Sequence, residues 1–493
     1  MLTINVLLLA SPDVQHDFDF VARIPNLGIT SIAGNINDVC NVKVADLNVT
    51  KDPHKFVRET IRKYHIDLVG LSCMSFQYKG ILEVAKTVKE CDSSISTVFG
   101  GYHPTLEYKE IAESPDLEYI DFITRGEGEE TFRELVKAIP DQRYDQVLGL
   151  SYKDKENGGM VHNPPRPLLD LKDIRLPDRG ARLIKKGFYG FCHTVDVVET
   201  SRGCTQGCKF CSIDRMYGRS FRTYEIDRVI ADIQDAKDHG AENIFFVDDN
   251  ITLNTKRMKR LCEAIIDAGL DDIYYQTQAS TSGIAKSKEV VDLMAKAGFD
   301  GVFLGIENAL PRNIELFGKT GMASDSEKAV RYLHEHKIIV SGGIISGNPD
   351  DTEEDILRNF ELAKKLRLDV PIFYIMTPYP KTVLREELIE MGLVTNTDDV
   401  TKYDGIYANV KTRHLSTDEL QHIVWKMNID YYDMDWYLSN NIIRRYPKWY
   451  LNRTLRLIPK YTKRRLQLLL GLKTERDFYE EDMESGELCK GGV

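Results

Sequence analysis

Three cysteines, Cys204, Cys208 and Cys211, fall within eight residues of the stretch Glu199–Ser212, separated by three and then two intervening positions. Two glycines, Gly203 and Gly207, and the lack of a β-branched run between the thiols let this loop fold back on itself. Three thiolates converging on one point suit an iron–sulfur cluster or a zinc ion, and a packed core needs neither. A [4Fe–4S] cluster usually takes four cysteines, so a three-cysteine loop leaves one iron open to another ligand.

The elements that would carry this loop alternate regularly. Val195–Thr200, Asn243–Val247, Ile273–Ala279, Gly301–Ile306, Ile338–Ile345 and Val370–Met376 read as strands. Glu225–His239, Thr255–Ala268, Lys288–Ala297, Ser324–His336 and Thr352–Leu366 carry helical periodicity between them. Six β/α units in succession predict an open, partial (β/α)6 version of a TIM-type barrel, with its chemistry at the carboxyl ends of the strands. Those ends are polar each time. The cysteines follow the first strand and Asp248–Asp249–Asn250 the second. Gln278 ends the third and Glu307–Asn308 the fourth. Ser346–Gly347–Asn348–Pro349 follows the fifth, and Thr377–Thr382 the sixth. For one of Asp248 and Asp249, helix capping before Thr255 is the competing role.

The first 140 residues show a shorter alternation. Ile4–Ala10, Val42–Asp46, Leu68–Cys73, Ser96–Phe99 and Phe122–Thr124 read as strands, and Leu27–Asp38, Pro53–His65, Gln77–Cys91 and Glu129–Ile139 as helices. This predicts an α/β, doubly wound parallel-sheet (Rossmann-like) domain whose ligand sits beyond the strands' carboxyl ends. Ser72, Gly100, Gly101, Glu127 and Gly128 stand there, with ordinary turn formation as the bland alternative. His103 is either a metal ligand or part of a turn set by Pro104. Residues 141–194, with Asn157–Gly158–Gly159 and Pro164–Pro165–Arg166–Pro167, read as a linker. The barrel is expected over 195–395 and a helical region over 396–493.

A chain of 493 residues with net charge −11 fits two or three domains and gives no reason to expect nucleic acid as its partner. No apolar run approaches the length of a membrane span, and Leu7–Leu8–Leu9 reads as a buried strand. Only three of the nine cysteines cluster, which fits a reducing cytoplasm. Cys40, Cys73, Cys91, Cys192, Cys262 and Cys489 are expected as small buried hydrophobes.

Together these features resemble the radical S-adenosylmethionine superfamily, in its subgroup with an N-terminal cobalamin-binding domain. The pattern Cys-x-x-x-Cys-x-aromatic-Cys is met by Cys204, Cys208, Phe210 and Cys211. The resemblance implies a [4Fe–4S] cluster on the three cysteines, whose fourth iron chelates S-adenosylmethionine. It also implies a 5′-deoxyadenosyl radical that attacks an unactivated C–H bond. Asp248 and Asp249 then lie where the family meets the methionine amino group, and Glu307 where it contacts the amino group or ribose. Gly342–Pro349, which contains Ser346, resembles the segment beside the adenine. Pro378–Thr382 resembles a Pro-Tyr-Pro-Gly-Thr run, with Lys381 in place of the glycine. The first domain is expected to bind cobalamin. The motif that supplies an axial histidine elsewhere is missing, and Asp46–Leu47–Asn48–Val49 stands near its place.

Thr417–Tyr437 reads as one helix. Asn440–Arg476 then carries eleven Lys or Arg against one acid, interleaved with Trp, Tyr and Leu. Such a segment either lies on an anionic membrane surface or forms a helical cap with a solvated basic face. The acidic tail after Phe478 is expected to be disordered. The resulting expectation is a cytoplasmic enzyme, possible contact with a membrane periphery included, that methylates a small, hydrophobic, lipid-like molecule and draws electrons from a flavodoxin or ferredoxin. An oxidative cyclase is the alternative within the superfamily, and a zinc-binding regulatory module the alternative outside it.

Overall fold

A computed structural model describes residues 4–13, 22–154, 156, 158–319 and 322–485; Asn157 and Cys489 lie outside the described residues. In the first half, the strands are β1 (Asn5–Ala10), β2 (Ala22–Arg23), β3 (Asn41–Asp46), β4 (Leu68–Ser72), β5 (Ser96–Gly100), β6 (Phe122–Thr124), β7 (Leu150–Lys153) and β8 (Met160–His162). All of these except β2 form one sheet in the order β3-β1-β4-β5-β6-β7-β8. The five strands from β3 to β6 are parallel. The near-continuous apolar run of β1 marks a strand covered on both faces. Helices Pro53–Tyr64 and Tyr78–Cys91 bury Val57, Ile61, Ile81 and Val84 against one face. Helices Leu27–Ile36 and Gly128–Ala138 bury Ile29, Ala33, Phe132 and Leu135 against the other. The strand order reverses between β1 and β4, which places the ligand crevice at their carboxyl ends.

The second half contributes β9 (Tyr189–Gly190), β10 (His193–Val198), β11 (Ser201–Arg202), β12 (Arg222–Thr223), β13 (Asn243–Phe246), β14 (Tyr274–Ser280), β15 (Phe299–Glu307), β16 (Ile339–Ser346) and β17 (Val370–Ile375). Strands β10 and β13–β17 are parallel neighbours, giving the six-stranded open barrel that the alternation predicts. Its core stacks Phe246, Tyr275 and Phe299 at ring separations of 5.3–5.8 Å. The short β11 and β12 pair separately, with Arg202 opposite Arg222.

Four expectations change. The segment taken as a linker from residue 141 is in its first part a hairpin, β7–β8, which extends the first sheet by antiparallel pairing. The helix expected over Thr417–Tyr437 breaks into Thr417–Asp430 and Met434–Ser439, because Asp433 caps a new start through Trp436 N at 3.0 Å. The described part of the tail is helical. Helix Glu475–Ser485 buries Phe478, Tyr479 and Asp482, and Asp482 accepts from Trp425 Nε1 at 3.1 Å. Among the cysteines, Cys40, Cys73 and Cys262 are buried, but Cys91 is half-buried and Cys192 is exposed at the turn before β10.

The C-terminal helices close the amino end of the barrel. Trp436 Nε1 donates to Asp369 O at 3.0 Å, Asn441 N donates to Asp369 Oδ1 at 2.7 Å, and the Tyr446 hydroxyl donates to Asp300. The long helix Pro447–Leu469 leaves Leu451, Leu455, Leu466 and Leu469 between 54% and 77% exposed. No described helix is long and apolar enough to cross a membrane.

Candidate active site

Cys204, Cys208 and Cys211 line one cavity of about 440 Å³, within the usual range of small-molecule sites. The loop leaves β11 through Gly203 at φ 86°, where a Cβ would lie 2.5 Å from Ser220 O. It is tied down by Lys209, whose N–H donates to Phe317 O at 3.1 Å and whose carbonyl accepts from Leu384 N at 3.0 Å. Lys209 Nζ also meets Glu387 at 2.7 Å. Phe210 packs edge-on against Phe317 at 5.3 Å and stands at the cavity wall. Burial raises the thiols of Cys204 and Cys208, and pushes Cys211 up to about 12. Coordination to iron would deprotonate them. Among the described residues, no three His, Cys, Asp or Glu side chains stand close enough to share a single metal ion.

The two adjacent aspartates separate. Asp249 lines the cavity and accepts from Gly203 N at 2.8 Å; burial lifts its carboxyl to about 6. Asp248 is fully buried and faces away from the cavity. It accepts from Thr200 N at 2.9 Å, from Thr200 Oγ1 at 2.7 Å and from Ser201 Oγ. These bonds anchor the entrance to the cysteine loop, and Asp248 does not line the cavity. Gln278 and Glu307 line the cavity as expected. Glu307 sits at φ 70° beside a register shift between β15 and β16, an irregularity that re-aims its side chain, and it pairs with Lys319. Burial works against the Lys319 charge, but Glu307 and Cys208 beside it hold its pKa above the usual value. Ser346 is fully buried, accepts from Asn359 Nδ2 at 3.0 Å and does not line this cavity.

In the first domain, Ser72, Gly100 and Gly101 sit at the carboxyl ends of β4 and β5. Gly101 adopts φ 95°, and a Cβ there would lie 2.7 Å from Cys73 O, so only glycine fits. Nearby Gly126, at φ 77°, faces open space. This edge fits the close approach of a large ligand at the sheet's switch point. Two expectations there change. A Cβ on Gly128 would meet Ile32 Cδ1 at 3.0 Å, so that glycine serves helix packing. The Glu127 carboxylate is taken by Arg202 at 3.0 Å, Arg222 at 2.9 Å and Leu169 N at 2.7 Å. His103 is buried, 3.3 Å from Ser75 Oγ and packed on Tyr78, and burial lowers its pKa to about 4. A second cavity, of about 940 Å³, runs along helix Tyr78–Cys91 toward Thr401 and Tyr407; none of Ser72, Gly100, Gly101, Glu127 or Gly128 lines it.

Two further residues tie the first domain to the barrel. Tyr102 of the first domain hydrogen-bonds Tyr217; burial, and then the negative charge of Tyr217, Asp249 and Cys211, raises its hydroxyl pKa well above normal. Lys381 stands at φ 61°, in the left-handed region where glycine is at ease, and its ammonium meets Glu107 at 3.4 Å and Glu110.

A flavodoxin-like domain joined to a six-stranded open barrel, with three cysteines at the carboxyl end of the barrel's first strand, defines a two-domain α/β protein with a candidate metal-cluster site. A family model described as the radical SAM superfamily matches residues 198–363, and one described as the B12-binding domain matches residues 19–136. An uncharacterized methyltransferase of Pyrococcus horikoshii is 32% identical, over 83% of this chain and 88% of its own. An anaerobic magnesium-protoporphyrin IX monomethyl ester cyclase of Cereibacter sphaeroides is 27% identical, over 74% of this chain and 60% of its own. A hopanoid C-3 methylase of Methylococcus capsulatus is 27% identical, over 73% and 68%. The solved radical S-adenosylmethionine methyltransferase TsrM from Kitasatospora setae, with cobalamin and a [4Fe–4S] cluster bound, superposes with a TM-score of 0.65 at 19% identity, over 80% of this chain and 76% of that one. The chain belongs to the cobalamin-binding branch of the radical S-adenosylmethionine superfamily, the branch that holds these methyltransferases. Its cofactors are accordingly an iron–sulfur cluster, S-adenosylmethionine and cobalamin.

Proposed function

We propose that this enzyme transfers a methyl group to an unreactive carbon of a small, hydrophobic, lipid-like molecule. The observation that carries the reading is a single cavity lined by Cys204, Cys208 and Cys211 on one side and Asp249, Gln278 and Glu307 on the other, in a chain of this family. When bound, the cluster with S-adenosylmethionine supplies the radical, and cobalamin supplies the methyl group. The three cysteines hold the cluster, a [4Fe–4S] cluster in this reading, and Phe210 walls it. Asp249 offers its carboxylate to the cationic amino group of S-adenosylmethionine, with Gln278 and Glu307 as further polar contacts. Ser72, Gly100 and Gly101 let the corrinoid approach the first sheet. A flavodoxin or ferredoxin delivers the electron.

The hydrophobic substrate is supported by the likeness to a hopanoid methylase. It is also supported by the exposed leucines of helix Pro447–Leu469, which share that helix with exposed Lys448, Lys463 and Arg465. A leucine stripe flanked by cations is the pattern of a helix lying on an anionic lipid surface. In this reading the protein works in the cytoplasm at the membrane periphery. Residues 440–476 make the contact, tested by sedimentation with anionic and neutral vesicles before and after Leu451→Asp and Leu466→Asp. A cyclisation rather than a methylation is the second reading, favoured by the likeness to the protoporphyrin ester cyclase.

After anaerobic reconstitution, iron and labile sulfide are expected together, and Cys208→Ala is expected to abolish 5′-deoxyadenosine production. One zinc and no sulfide, or undiminished production in the variant, would overturn the assignment. Mass comparison of lipids and pigments from cells with and without the protein identifies the product as methylated or cyclised.

A further inference from the structure

Arg202 lies two residues before Cys204, on the short strand that feeds the cysteine loop, and it is almost wholly buried. Its three nitrogens are divided among three carboxylates. Nε meets Glu199 at 2.9 Å, Nη1 meets Glu127 at 3.0 Å, and Nη2 meets Glu129 at 2.6 Å. Glu127 also accepts from Arg222, the residue opposite Arg202 in the β11–β12 pair. Glu129 is held from its own domain by Ser31 Oγ at 2.9 Å. Glu127 and Glu129 belong to the first domain, on the turn after β6 and the start of helix Gly128–Ala138, one step from Gly126 and the open edge of the first sheet.

This placement is specific. Both glutamates are on average more than nine-tenths hidden, so neither charge is satisfied by water. Buried charges persist only when paired and hydrogen-bonded. A planar guanidinium read from three sides has one allowed orientation, which a lysine cannot reproduce. The backbone of Arg202 is therefore fixed by groups that the other domain supplies, and it leads through Gly203 directly into Cys204.

We propose that Glu127 and Glu129 are positioning residues that hold the cysteine loop through Arg202, so that filling the corrinoid edge of the first domain tightens the loop that holds the cluster. The reading rests on cobalamin occupying that edge and is independent of which substrate is methylated.

The test uses the full-length protein with hydroxocobalamin as the probe and hydrogen–deuterium exchange over residues 199–212 as the readout. Wild type is expected to slow exchange in that peptide by about tenfold on binding. Glu129→Gln is expected to bind hydroxocobalamin within about threefold of wild type while losing most of this protection. Arg202→Lys, which keeps the charge and loses the fork, is expected to lose it too. Lys381→Ala, which unties the exposed contacts between the domains, is expected to keep it. Should Glu129→Gln fail to fold, Ser31→Ala frees Glu129 without removing a charge and is expected to reduce the protection. Unchanged protection in Ser31→Ala and Glu129→Gln, no protection in wild type, or no binding of hydroxocobalamin would overturn the proposal. Substrate methylation enters none of these readouts, so a wrong substrate class leaves the outcome intact.

Discussion

Lys381 combines a backbone cost with an electrostatic gain, and two substitutions separate them. A residue with a Cβ in the left-handed region costs about 1–2 kcal/mol relative to an unstrained one. The Lys381 ammonium meets two carboxylates of the first domain, but its side chain is 44% exposed and those of Glu107 and Glu110 are 20% and 50% exposed. Ion pairs so open to water are worth about 0.2–1 kcal/mol each, or about 0.5–2 kcal/mol together. Lys381→Ala keeps the strain and loses the pairs, so it should destabilise by about 0.5–2 kcal/mol. Lys381→Gly loses the pairs but relieves the strain, partly offset by the greater freedom of unfolded glycine, and should fall within about 1 kcal/mol of wild type. Urea unfolding at low salt and at about 0.5 M salt reads both terms, because salt screens the exposed pairs and leaves the backbone term unchanged. Equal stability of the Ala and Gly variants, or a cost of Ala that is the same at both salt concentrations, would show that strain and ion pairing do not act separately at Lys381.

The two aspartates should respond differently. In the role proposed for it, Asp249→Asn should weaken S-adenosylmethionine binding at least about tenfold by calorimetry, since a carboxylate offered to a cationic amino group is lost. Asp248→Asn should instead lower stability by about 1–3 kcal/mol, with ligand affinity changed only a few-fold in the protein that folds. Burial raises the Asp300 carboxyl to about 6 in the folded chain, above its ordinary value of 3.8. Its protonated form therefore favours folding below about pH 4, and that contribution is lost as pH rises through 6. Asp300→Asn should flatten the fall in stability across this window, by up to about 3 kcal/mol at 1.36 kcal/mol per pH unit. Asp482→Ala removes the acceptor for Trp425 and Arg464. It should undock helix Glu475–Ser485 at a cost of about 1–3 kcal/mol, seen as faster proteolysis near Leu472 while the barrel stays intact.

How much of the fold and site is legible in the sequence follows from the range of each interaction. The six barrel strands and the cysteine loop are local patterns, and the structure returns them with small shifts at their ends. The pair Asp248–Asp249 was visible as two acids at a strand end. Successive residues of an extended chain point to opposite sides, so one must turn from the cavity, and the sequence holds no sign of which. Glu127 read as a ligand contact because it stands at the edge of the first sheet. Its partners in the fold, Arg202 and Arg222, are far along the chain and carry no spacing that links them to it. Ser346 misled in the same way, being claimed by Asn359 on the following helix. Helix Glu475–Ser485 was hidden by its acidic composition, which masks the few side chains, Phe478 and Tyr479, that dock it.

The two-residue strand β2 has a consequence for how this chain is made. Ala22 and Arg23 pair with Gly190 and Tyr189, and that strand in turn pairs with β10, so the outer edge of the barrel sheet is supplied from ahead of nearly the whole first domain. During synthesis those residues emerge early and wait, unpaired, until the start of the barrel appears. Contacts between such distant positions form slowly, because the loop between them must close first. A barrel expressed alone from residue 195 would begin inside β10 with neither β9 nor β2 beside it, leaving an open strand edge that invites association with other chains. The domains are thus stitched together at their seam, and dividing the gene between them should yield a soluble first piece and an aggregating second one, rescued when the two are produced together.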